Sequence, residues 1–384
     1  MGNEKTAYRA LREKMSDAVI GQENYVEKLC ATFVSSNQQS LARSAGSRKA
    51  YPANTMLVAG ETGSGKTYAV KQLAKLTDRE LIEIDMSFIT GSGYKGDSLM
   101  DTIERKVRGM NPNDVRDAIF FFDEFDKCIL CKDELARSKT ASVVPEFLKL
   151  LEDGMIDVQG ESGDLYKVSV QNAIFICAGA FAGIEEIIEK RLLKGKKQIG
   201  FNAEKSEEQI DETQGLITLV DYQDFAEYGV DWQFLGRMER VCALNRLCEA
   251  DFARIIVDSK DSDYNKHKQL FLDAYGIDVK MLKSAQKLIA RDCVEKGIGA
   301  RGAKGIVTKI FDDCLVMSQD DPGIGLFLLF AKDGEIQIKP LHCERNPIYE
   351  EKMNPFLRPK GDAQYIHGQS NPSIIRETRG WYGN

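Results

Sequence analysis

The 384-residue chain carries 52 Lys and Arg against 59 Asp and Glu, a net charge of −7, with 43% hydrophobic and 29% charged residues. That balance supports two domains with a sizeable core and argues against a dedicated nucleic-acid binder, whose phosphate contacts need a basic footprint. No apolar run reaches membrane-spanning length, and the three scattered histidines (His267, His342, His367) exclude a His-based zinc protease helix. The nine cysteines, an odd number without framework spacing, point to reduced thiols in a cytoplasmic setting.

Residues 1–50 read as an N-terminal helical segment leading into the core. Between 51 and 248, short apolar runs alternate with helical patterns, and Thr55–Ala59, Leu81–Ile84, Ala118–Phe122 and Ala173–Cys177 read as strands. Runs that are apolar along their whole length suit a parallel sheet covered on both faces, hence a large α/β domain. From 249 to 340 the pattern turns helical over Met281–Lys296 and Ala303–Ser318. Two strands, Leu326–Phe330 and Glu335–Ile338, then flank a Lys332-Asp333-Gly334 turn, which predicts a smaller α+β domain. Residues 341–384 lack helical periodicity and read as an irregular tail.

The segment Gly60-Glu61-Thr62-Gly63-Ser64-Gly65-Lys66-Thr67 fits G-x-x-x-x-G-K-[ST], between a strand ending at Ala59 and a helix predicted over Tyr68–Lys75. Its glycines let successive backbone N–H groups turn inward around a phosphate, and the helix N-terminus adds partial positive charge. Residues Glu61 to Tyr68 are therefore the candidate nucleotide-binding segment, with Lys66 reaching the β/γ-phosphates and the Thr67 hydroxyl a ligand for Mg²⁺. Ile119-Phe120-Phe121-Phe122-Asp123-Glu124 delivers two adjacent carboxylates from a buried strand. Asp123 suits the hydrated metal, and Glu124 suits polarising the attacking water. The expected cofactors are ATP and Mg²⁺. Gly91–Gly96 also satisfies G-x-G-x-x-G, but Met86–Thr90 separate it from its strand. It reads as a glycine-flanked aromatic loop instead of a dinucleotide site.

From Val19 to about Lys339 the chain resembles the AAA+ unfoldases of the ClpX family. Val19-Ile20-Gly21-Gln22 resembles the segment that packs on adenine, Gly60–Thr67 the Walker A motif and Phe122–Lys127 the Walker B motif. Gly93-Tyr94-Lys95-Gly96 is similar to the aromatic pore loop and Phe175–Gly183 to the sensor-1 region. Phe234-Leu235-Gly236-Arg237 looks like the arginine-finger segment, Gly299-Ala300-Arg301-Gly302 like sensor 2, and Ile199-Gly200-Phe201 like the loop that docks on the ClpP peptidase. The resemblance implies a homo-hexameric ring that unfolds and threads protein substrates. Tyr94 and Lys95 would line its pore, Arg237 would act in trans, and Arg301 would sense nucleotide. A ClpP-type peptidase would supply proteolysis, since neither H-E-x-x-H nor G-x-S-x-G occurs in the chain and no intrinsic peptidase activity is expected. The chain departs from the family pattern at Glu61, where the phosphate loop usually has proline, and at Lys95, beside the pore tyrosine. It also departs over Gln159–Lys167, short and acid-containing where the family carries a longer basic loop. The family's zinc module does not precede Val19. A non-proteolytic remodeller and a DNA-acting motor on the same core are the alternatives.

Overall fold

The structure, a computed structural model, describes residues 2–89, 98–129, 142–160, 163–197, 216–297 and 299–345. Five strands form a parallel sheet: β1 (Asn54–Ala59), β2 (Leu81–Asp85), β3 (Ile119–Asp123), β6 (Ile174–Gly179) and β7 (Arg240–Ala243), in the order β2-β3-β6-β1-β7. Between β3 and β6 the chain inserts an antiparallel hairpin of β4 (Met155–Gln159) and β5 (Leu165–Ser169). β1 and β6 are buried at every position, as strands covered on both faces must be. Their side chains alternate between two cores. Leu57, Phe120, Phe122, Phe175 and Cys177 face one, while Met56, Val58, Ile119, Phe121, Ile174 and Ile176 face the other.

The second core is roofed by the helices Gly2–Ala18, Glu23–Ser44 and Lys66–Thr77, the last beginning directly at the end of the phosphate-loop motif. The first core is closed by Leu99–Val107, Val143–Asp153 and Tyr222–Tyr228. A third core gathers residues from Phe252 to Ile338 around four helices and a three-stranded sheet. In that sheet β8 (Asp278–Met281) runs parallel to β9 (Ile324–Lys332), which pairs antiparallel with β10 (Glu335–His342). Asp333 and Gly334 close the hairpin with φ of 53° and 81°, the left-handed pair that a type I′ turn requires.

The four strands expected from the sequence are present, each within two residues of its expected ends, and the expected hairpin is longer at both strands. Met281, expected to open a helix, closes β8 instead, and that helix runs Lys283–Glu295. Of the stretch Gln159–Lys167, Gln159 ends β4 and Leu165–Lys167 open β5 of this hairpin, while Glu161 and Ser162 lie outside the described residues. Tyr94, Lys95, Ile199, Gly200, Phe201 and the tail beyond Arg345 lie outside the described residues.

Candidate nucleotide site

All parallel strands point their C-terminal ends the same way, so the loops after β1, β3 and β6 converge at one edge of the sheet. In open parallel sheets that edge is where ligands bind. Gly63 and Gly65 adopt φ of 84° and 101°, left-handed angles that let the loop curl back on itself. Lys66 is buried, and its Nζ donates to the carbonyls of Gly60 (2.6 Å) and Glu61 (3.0 Å). Thr67 Oγ1 donates to Asp123 Oδ2 at 3.2 Å, which joins the two motifs the sequence placed 56 residues apart. Asp123 Oδ1 in turn accepts the Glu124 N–H at 3.0 Å, and Glu124 takes φ of 57°. A non-glycine residue in that region costs energy and persists only where its surroundings hold it.

Those surroundings are specific. Phe125 N–H donates to the Ala178 carbonyl at 2.8 Å, and Asp126 Oδ2 accepts the Phe181 N–H at 3.0 Å. The loops after β3 and β6 are thus tied to each other beneath the carboxylates. Glu124 pairs with Lys127, and this hydrogen bond is the main cause raising the lysine's pKa. A cavity of about 430 Å³ opens here, lined by Thr62, Lys66, Thr67, Asp123, Glu124 and Lys127 among others.

A second cleft, about 220 Å³ and mostly apolar, adjoins the first across Gly63, Gly65 and Tyr68. Val19 and Ile20 line it from the N-terminal segment, opposite Leu247, Ile256 and Tyr264 from the C-terminal part of the chain. An apolar slot joined to a polar phosphate cradle matches the two ends of a nucleotide. Ser64 Oγ is buried there with no hydrogen-bond partner among the described residues, as expected of a group that awaits a polar ligand. Thr67 and Asp123 offer two oxygens side by side, a donor set that fits Mg²⁺, which keeps several waters and takes few protein ligands.

The helix Gly299–Asp320 begins against this loop: a Cβ built on Gly299 would lie 3.4 Å from the Thr62 carbonyl oxygen. Arg301 occupies the first turn of that helix, and its side chain lies outside what is described. Glu61, the unusual residue in the loop, pairs with Arg246 at 2.9 Å, and Arg246 also holds Glu185. Arg237 is not in this site. Its carbonyl accepts from Thr55 Oγ1 (2.6 Å) near the start of β1, and its guanidinium pairs with Glu152. Four residues of extended strand, about 13 Å, separate Thr55 from the end of β1 where the phosphate loop begins.

Sequence reasoning missed three contributors. Tyr25 donates to the Lys66 carbonyl at 3.2 Å, and burial, the leading cause, pushes its phenol well above the usual range. Gln72 donates to Asp261 (3.0 Å), linking the helix after the phosphate loop to the C-terminal part of the chain. Gln22, the last residue of the Val-Ile-Gly-Gln string, reaches the phosphate loop itself. Only that string pointed toward it. Cys128 is buried against the Met86 carbonyl (3.4 Å), an ordinary packed thiol.

A family model described as AAA domain (Cdc48 subfamily) matches residues 51–240. The parallel sheet, the phosphate loop and that match define an AAA+ P-loop ATPase. The chain is 28% identical over 318 residues to the ATP-dependent Clp protease ATP-binding subunit ClpX of Treponema denticola, covering 79% of this chain and 75% of that protein. It is 27% identical over 335 residues to the ClpX subunit of Bacteroides fragilis, covering 84% and 80%. The ClpX subunit of Bacteroides thetaiotaomicron matches at 27% over 316 residues, covering 79% and 75%. Within the AAA+ class the chain is similar to these ClpX subunits, and the likeness supports a Clp-type ATPase.

Proposed function

We propose that the chain assembles into a ring, a homo-hexamer, that hydrolyses ATP with Mg²⁺ to unfold protein substrates and passes them to a ClpP-type peptidase. The observation that carries the reading is the Thr67–Asp123 contact with Glu124 beside it, set where the phosphate cradle meets an apolar slot. The name shared by its relatives, ATP-binding subunit of an ATP-dependent Clp protease, supports the same direction.

In this reading Val19 and Ile20 pack on the adenine, and the backbone from Glu61 to Tyr68 wraps the phosphates. Lys66 leaves the carbonyls of Gly60 and Glu61 for the β/γ-phosphate oxygens, while Thr67 and Asp123 hold the metal. Bound Mg²⁺ supplies neutralisation of the charge that builds on the phosphoryl group. Glu124 turns from Lys127 to accept a proton from the attacking water and so orients it. Arg301 contacts the same nucleotide from the C-terminal helix, and Arg237 serves the nucleotide of a neighbouring subunit. Tyr94 and Lys95 grip substrate in the pore, and Ile199, Gly200 and Phe201 dock the peptidase.

The test is an ATPase assay with an unfolded protein, with and without a ClpP-type peptidase. Glu124→Gln is expected to bind ATP and lose about 10²-fold or more in turnover, whereas Lys66→Ala loses binding as well. Near-normal turnover in Glu124→Gln removes the polarising carboxylate from that residue. Degradation that needs the peptidase, and stops with Phe201→Ala while ATPase persists, supports the proteolytic partner. A ring that never engages the peptidase leaves a remodeller.

A further inference from the structure

Gln22 is 2% exposed, and both ends of its carboxamide are engaged. Nε2 donates to the Ser64 carbonyl at 3.0 Å and to the Asn245 carbonyl at 2.9 Å, while Oε1 accepts the Asn245 backbone N–H at 2.8 Å. Asn245 Nδ2 adds a return bond to the Gly21 carbonyl at 3.1 Å. Ser64 belongs to the phosphate loop. Asn245 lies in the connection between β7 and the helix Glu249–Val257, where the chain passes from the large sheet to the third core.

The arrangement needs two donor hydrogens and one acceptor on a single short tip, which among side chains only a primary amide provides. It also constrains the loop. In a trans peptide the Gly65 N–H points opposite to the Ser64 carbonyl, so holding that carbonyl fixes the direction of a phosphate-loop N–H. Any rotation of that peptide by a bound phosphate must be followed by Gln22, and through two bonds by Asn245. We propose that Gln22 is a positioning residue joining the phosphate loop to the hinge, so that nucleotide occupancy and the setting of the C-terminal domain are fixed by one amide. The inference rests on the nucleotide reading above.

The isosteric Gln22→Glu keeps the acceptor for Asn245 N–H but turns an anion with no donor toward two carbonyls. Gln22→Met keeps nearly the same volume and removes donors and acceptor alike. With circular dichroism matching the wild type, both variants are expected to raise KM for ATP about tenfold or more and to keep kcat at saturating ATP within about threefold. A variant with unchanged KM, or with kcat lost and KM kept, overturns the proposal. Hydrogen exchange on the wild-type protein needs no variant. A slowly hydrolysed ATP analogue with Mg²⁺ should protect residues 60–67 and 245–257 together. Protection confined to 60–67 overturns this inference alone; no protection at 60–67 overturns the nucleotide reading with it.

Discussion

A Cβ built on Gly179 would lie 2.6 Å from Asp126 Oδ1 and 2.8 Å from its Cγ, closer than any side chain tolerates. The glycine is needed for close approach, not for a special backbone angle. Its missing side chain lets Asp126 press against the end of β6 and accept the Phe181 N–H. Asp126 thereby holds the left-handed Phe181 (φ 49°), while the Phe125 N–H bonded to the Ala178 carbonyl fixes the chain just after the left-handed Glu124 (φ 57°). Gly179→Ala must displace the carboxylate and release that brace. The expected outcome is a loss of about 1–3 kcal/mol in stability, the usual cost of overpacking, read from urea unfolding. Turnover should fall disproportionately, because the loop that carries Glu124 shifts with Asp126. A variant destabilised to that extent with unchanged kcat would separate the brace from catalysis.

At the scale of elements, the helix Val143–Asp153 holds several parts of the site in register through one ring. Phe147 is fully buried and meets Phe122 (5.1 Å, edge-on), Phe125 (5.9 Å), Phe175 (6.2 Å) and Phe234 (5.6 Å). Phe125 follows Glu124, and Phe234 precedes Arg237 by three positions, so the ring stands between the carboxylate loop and the arginine segment. Phe147→Ala is expected to cost about 3–5 kcal/mol, a large shift in urea midpoint, with Phe147→Leu costing clearly less. Equal costs for the two would mean that the ring's shape, and not the volume it fills, carries the packing here. Such contacts explain what could be read beforehand. β1, β3 and β6 were legible because strands buried on both faces are continuous apolar runs. β4 and β5 were not, since the hairpin is half exposed and carries Asp157 opposite Lys167. β7 has only four residues, and β8 abuts the next helix after one residue, so neither offered a window for periodicity. The phosphate loop and the Asp123-Glu124 pair were legible because their residues are consecutive. The role of Gln22 was not, because its partners lie 42 and 223 positions away.

For the whole molecule, the position of Arg237 sets how subunits cooperate in the proposed ring. Its backbone is fastened to the start of β1, the phosphate loop follows the end of the same strand, and its guanidinium rests on Glu152. In the proposed ring, an arginine fastened at that end of the strand serves the phosphate of a neighbouring copy, not its own. A head-to-tail contact of this kind generates a closed ring when its rotation closes. Arg237→Ala is then expected to lower ATP turnover about 10³-fold, as for other arginine fingers, with nucleotide binding largely kept. Lys66→Ala should be inactive for a different reason, loss of the cradle. When the two variants are mixed, each site with an intact Lys66 that neighbours an intact Arg237 recovers. Random assembly in equal amounts should therefore restore about a quarter of the sites, since each heterologous interface pairs the two variants in the working order one time in four. Steady-state ATPase of the mixture against each parent checks this. An arginine acting within its own subunit would leave every site in the mixture defective, and activity no higher than the parents' would rule out the shared site.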